Sequence, residues 1–124
     1  MPFGLYDWKD DINKGMSRRD WMESTVKQFK TYIGKLIKAG KSFGGDEYVF
    51  GVIRIEEVYE QSLTDMPESD VVREGGREGE SVRDFVWRQR EYFKIDVADR
   101  EKGVITIDWE KKRTVVVWEW VERW

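Results

Sequence analysis

Apolar and polar positions change their spacing several times along this chain, and each change predicts an element. From Glu47 to Val58 the residues alternate. Val49, Gly51, Ile53 and Ile55 share one face, and Phe50, Val52 and Arg54 share the other. Apolar residues on both faces predict a barrel wall with a helix over it. Before it, Met22, Val26, Phe29, Ile33 and Leu36/Ile37 recur at helical spacing, with Lys27, Lys30, Lys35 and Lys38 mainly off that face. This predicts a helix over 18–39, opened by Ser17 with Asp20 at the reciprocal capping position and closed by Ala39-Gly40. Gly34 costs about 1 kcal/mol relative to alanine inside a helix, so it marks a close approach. Asp65 and Pro67 start a short helix that Gly75-Gly76 stops. Ser81, with Asp84 three residues on, caps a helix over 82–93 whose buried stripe is Val82, Phe85, Val86, Gln89 and Phe93.

The C-terminal third returns to alternation. Val104 to Trp109 reads as a strand, Glu110 to Arg113 as a hairpin turn, and Thr114 to Glu122 as the return strand. There Val115, Val117 and Val121 share one face, and Val116, Trp118 and Trp120 the other. The predicted fold class is α+β: a strongly curved sheet or small barrel over 48–58, 103–109 and 114–122, flanked by two main helices. No repeat or low-complexity segment interrupts it. At 124 residues, one domain spanning 1–124 is expected.

Composition narrows the chemistry. The chain has no Cys and no His. That excludes a disulfide framework, a thiolate or imidazole metal site, and any catalysis by histidine. No run of about 18 apolar residues and no secretion pattern is present, so a cytoplasmic protein without a membrane span is expected. Charge is unevenly spread. Arg18 to Lys41 holds seven basic and two acidic residues, and Glu56 to Glu80 holds nine acidic and two basic. The basic block is the candidate for meeting phosphates; solvated surface charge explains it equally well. Asp7, Asp10 and Asp11 lack the calcium-loop pattern, so no metal is assigned. Gly40-Lys41-Ser42 resembles the end of a phosphate-binding loop but lacks the upstream glycine and follows a helix, so a nucleotide triphosphatase is rejected.

The order of strand, acidic turn, short helix, longer helix and strand over 48–110 resembles the C-terminal half of the ASCH domain, a small β-barrel of the PUA-like superfamily. Glu74-Gly75 and Val104 to Glu110 carry the likeness. The family's N-terminal signature is a helix-ending glycine, a Lys, then Thr or Glu, then Arg. It is met only partly by Gly40-Lys41-Ser42. Gly15-Met16-Ser17-Arg18-Arg19 is an alternative register with better spacing and no Lys.

The resemblance implies a module that binds RNA or a modified nucleoside, and in some members a metal-free and cofactor-free hydrolase acting on acetylated cytidine or a ribonuclease. In this sequence Glu74 falls at the family's catalytic glutamate, and Lys41 and Ser42 are the nearest substitutes for its Lys and hydroxyl. Lys35, Lys38, Lys41 and Arg54 are candidates for phosphate contact, and Trp118 and Trp120 for base stacking. The bland readings are equally definite. Glu74 is then a last-turn residue in water, and the tryptophans pack in the core or at an interface, including one with a second copy of the chain. A second function class, a protein-interaction or inhibitor protein, would use the acidic block or the Trp-rich C-terminal strand.

Overall fold

The computed structural model describes residues 2–3, 15–41, 49–93 and 106–124, with the side chains of residues 2, 3, 41 and 50 left aside. Asp7, Asp10, Asp11 and Ser42 lie outside the described residues. Five strands form one sheet: β1 (Pro2–Phe3), β2 (Met16–Arg19), β3 (Leu36–Lys41), β4 (Val49–Ser62) and β5 (Lys112–Arg123). Their order is β1-β3-β4-β5-β2. β1 runs parallel to β3, and the other pairings are antiparallel. β4 is the spine. It pairs with β3 (Leu36 opposite Arg54) and with β5 from Gly51–Arg123 to Ser62–Lys112. Register shifts at Val52/Ile53 and between Ile55 and Glu57 bend it.

The expected helix over 18–39 is corrected. Residues 16–19 are strand β2, the helix α1 covers only Glu23–Lys30, and 36–41 are strand β3. Ser17 is therefore a strand residue, and α1 has Met22 at its N-cap without a side-chain cap. Gly34 ends the helical course. Its φ of +83° is left-handed, and its amide already donates to the Ile55 carbonyl at 2.7 Å, so pairing to β4 begins there. Beyond it, buried Ala39 and half-buried Ile37 alternate with exposed Leu36 and Lys38. Two periods share the same apolar residues here, and the strand period wins once the backbone finds a partner.

The connection from β4 to β5 carries the helices. A 3₁₀ turn at Leu63–Asp65 is capped by Ser62. Then come α2 (Ser69–Arg73), α3 (Val82–Arg88) and α4 (Arg90–Phe93), so the helix expected over 82–93 is broken at Gln89. Ser81 caps α3 as the sequence predicts, accepting from the Asp84 amide at 3.1 Å. Gly75 has a φ of +106°, and a Cβ on Gly76 would run into the Val71 side chain and carbonyl. That pair is why α2 stops. Of the strand expected over 103–109, only residues 106–109 are described. Ile107 forms a single bridge there, and Asp108 turns the chain by accepting from the amides of Glu110 and Lys111. β5 thus pairs with β4 and β2 in the middle of the sheet, not as the return arm of a local hairpin.

Packing follows the two sheet faces. On one, Ala39, Ile53, Ile55, Val58, Val116 and Trp118 are buried beneath Trp21, Phe29 and Tyr32 of the α1 region. On the other, Met16, Val115 and Val117 meet Tyr59. A third cluster, Leu63, Met66, Val71, Phe85, Val86 and Phe93, ties the helices of the insertion together. No helix among the described residues is long and apolar enough to cross a membrane.

Candidate functional site

The insertion places a charged layer against the sheet. Arg18 projects from edge strand β2 on the same face as Met16, and α2 brings Asp70 and its C-cap Glu74 over it. Arg18 Nε donates to both Glu74 oxygens at 3.2 Å, and Nη2 donates to Glu74 Oε2 and Gln61 Oε1 at 3.1 Å. Asp70 Oδ2 stands 4.0 Å from Nη2. The side chains of Arg18 and Glu74 are 1% and 4% exposed. The Tyr92 hydroxyl donates to the Arg18 carbonyl at 2.6 Å, fastening α4 to the same strand. Arg18 Nη1 is buried without a hydrogen-bond partner among the described residues, which is uncommon for a guanidinium.

Two carboxylates share this one cation. Burial pushes the Glu74 carboxyl above its ordinary range; Arg18 pulls it back, and Asp70 adds to the rise. Burial, and then the Asp70 charge, raise the Tyr59 hydroxyl as well. Glu74 therefore holds its proton to higher pH than a surface carboxylate does. Nearby, Glu80 shows the opposite behaviour. Arg88 donates to both its oxygens at 2.8 and 2.9 Å, and the Arg77 amide adds a third bond. These bonds, Arg88's foremost, bring Glu80 down to about 2.

A separate open cleft of about 430 Å³ lies at the insertion. Arg83, Asp84 and Trp87 of α3 line it, facing Ile107 and Trp109. Trp87 is 56% exposed, and the Arg90 guanidinium lies 4.9 Å from its ring centroid. The volume is in the range of small-molecule sites.

The residues expected from sequence fall in different places. Glu74 is in the Arg18 cluster. Lys41 ends β3, where its neighbour Gly40 is opposite Val49, while Gln61 is near the far end of β4. Those two ends are separated by about 40 Å of strand at about 3.3 Å per residue. The backbone therefore does not bring Lys41 to Glu74 along the sheet. Lys35, Lys38 and Arg54 are exposed around β3 and β4, and Arg54 is bridged to Glu119 across the β4–β5 pair. Trp118 is 2% exposed, with its indole N–H directed to Ser17 Oγ at 3.4 Å. Trp120 packs edge-on to it with Arg123 over its own ring.

Sequence reasoning passed over Arg18 and Trp87. The Gly15–Arg19 register pointed at the segment that holds the first, although it puts Met16 where the other register has Lys41. Trp87 lies off the apolar stripe of its helix, and a tryptophan off the stripe is the signal for a surface role.

Over almost its whole length the chain matches the crystal structure of an ASCH domain from Lactobacillus crispatus JV V101, with a TM-score of 0.58 and 16% identity, covering 99% of this chain and 79% of that one. The fold is that of an ASCH domain. A DUF984 protein from Enterococcus faecalis V583 has the same fold at a TM-score of 0.57 and 13% identity, over 89% of this chain. This chain spans 62% of the length of that protein. No family model and no curated protein matches the sequence. At such identities the fold alone is shared. The ASCH likeness nevertheless extends well beyond the 48–110 stretch that carries it in sequence.

Proposed function

We propose that this ASCH-fold chain is a binding module for single-stranded RNA or a modified nucleoside. The observation that carries the reading is the aromatic cleft on α3. Two tryptophans there flank a nucleoside-sized space, and Arg83 and Arg90 supply positive charge beside it. Bases stack on such faces whatever their identity, and the backbone phosphates meet the guanidinium groups. The fold likeness supports the same reading. No hydrolytic step is part of it. Arg18 closes over the Glu74 carboxylate, and a proton cannot be passed across a gap longer than one water.

The test is binding of a fluorescent single-stranded RNA as salt is raised. Affinity should fall linearly on a log–log plot, with a slope of about −0.7 per phosphate contact. Trp87→Ala should weaken binding by about 5- to 150-fold, the worth of one stacked base. Absence of binding at low salt would overturn the proposal.

A second reading, a protein-interaction surface, draws on exposed Leu36, Val121 and Trp124 on β3 and at the end of β5. Its check is size-exclusion with light scattering, where a mass above that of one chain supports it and a strict monomer counts against self-association.

A further inference from the structure

The cleft also contains an acidic group, and that group restricts which base fits. Resting on the RNA-binding reading, we infer that the Trp87–Trp109 cleft takes an unpaired guanine, read by the Asp84 carboxylate. Asp84 stands in the first turn of α3. Its amide donates to Ser81 Oγ, but its carboxylate does not complete the reciprocal half of the cap. Among the described residues that carboxylate has no hydrogen-bond partner, and Asp84 is one of the residues lining the cleft, with Arg83 and Trp87.

An ionised carboxylate only accepts hydrogen bonds. Its two oxygens match two adjacent, parallel donors. Guanine alone among the four RNA bases offers such a pair on its Watson–Crick edge, from N1–H and the N2 amino group. Cytosine and adenine present one amino group beside a ring-nitrogen acceptor. Uracil presents one N–H between two carbonyls. Each of these three would set an acceptor against Asp84, in a site where like partial charges repel. The indole faces supply stacking that does not depend on the base. Arg83, next to Asp84 in sequence, supplies the charge that lets a phosphate approach a carboxylate-bearing site.

The experiment uses the full chain and U-rich RNA heptamers with one central G, A, C or U, with guanosine monophosphate as a further arm. The G heptamer should bind about 5- to 150-fold more tightly than the other three, the discrimination of one bidentate pair. Asp84→Asn keeps the size, replaces one acceptor by a donor, and should erase that preference, bringing the G heptamer to the level of the other three. Trp87→Ala should weaken all four together. Both positions are exposed, and circular dichroism checks that each variant folds. Equal binding of the four heptamers, or an unchanged G preference in Asp84→Asn, overturns the guanine assignment and leaves the RNA reading standing. Binding of the monophosphate without binding of any heptamer keeps the guanine site and overturns the RNA reading. No binding of any probe overturns both.

Discussion

Removing one partner of the Arg18–Glu74 pair should cost far more than removing both. The pair is buried, and its carboxylate oxygens take three bonds of 3.1–3.2 Å from one guanidinium. In Glu74→Leu, Arg18 retains Gln61 at 3.1 Å and Asp70 at 4.0 Å, with more of its donors unmet than the one already orphaned. In Arg18→Met, two carboxylates face apolar surroundings with no cation. Breaking a buried pair this way costs about 3–5 kcal/mol, whereas replacing both members by apolar groups of similar volume is about neutral. The unfolding entropy near the midpoint is about 2.1 cal/mol/K per residue. Over 124 residues that gives about 0.26 kcal/mol per degree, so each single variant should melt about 12–19 °C below the parent. The double variant Arg18→Met/Glu74→Leu should recover most of that loss. Asp70 limits the recovery, because its charge then lacks Arg18 too. Calorimetry on the four proteins closes the cycle. Single variants within about 1 kcal/mol of the parent, or a double variant as unstable as the sum of the singles, would refute the claim that burial makes this pair interdependent.

The remaining predictions use the same geometry. Glu74 should titrate above 4.5 by carboxyl NMR. A carboxyl raised in the folded state favours folding fully below its unfolded value, and that advantage is lost as pH rises through the folded value. Parent stability relative to Glu74→Gln should therefore decline with pH over that interval. Glu80 runs the other way: lowered to about 2, it contributes stability above about 4.5 that disappears as pH falls toward 2, and Arg88→Ala should reduce that acid-side dependence in urea titrations, leaving the part due to the Arg77 amide. Gly34→Ala should destabilise by about 1–2 kcal/mol. A methyl there meets nothing within 4 Å at φ +83°, so the cost is backbone alone. A cost near zero would mean the turn relaxes out of the left-handed region.

The elements legible in sequence were those with one unambiguous period or one cap. β4 alternates from Gly51 to Ile55, Ser81 caps α3, and Gly75-Gly76 stops α2, each for a local reason. The stretch from 17 to 39 misled because Met22, Val26 and Phe29 continue without a visible break into Ile33 and Leu36/Ile37. What separates α1 from β3 is a left-handed glycine and a bond to Ile55, twenty-one residues further on, and no local pattern reports that. β5 was recognised as a strand, but its partner was not, because the insertion from 63 to 111 hides the β4–β5 pairing. The Arg18 cluster was half legible. Glu74 could be singled out from a resemblance, but its cation is 56 residues away in sequence.

The charge blocks take on a different meaning once these contacts are known. In sequence, nine acids between Glu56 and Glu80 looked like a face for a basic partner. Three of them are already committed. Asp70 and Glu74 neutralise Arg18 inside the molecule, and Glu80 is closed by Arg88. A buried or paired carboxylate projects little field to a partner, because its countercharge is nearer than any visitor's. A third of the acidic block therefore acts as internal glue between β2, the helices and the sheet, and its case as a docking face is weaker than the residue count suggests. The basic block is divided in the same way. Arg18 is consumed, while Lys35 and Lys38 stay at the surface. At the insertion, Arg83, Asp84, Trp87 and Trp109 line one cleft. A site with one free carboxylate among aromatic faces and guanidinium groups suits a small planar donor-rich ligand better than a broad protein partner.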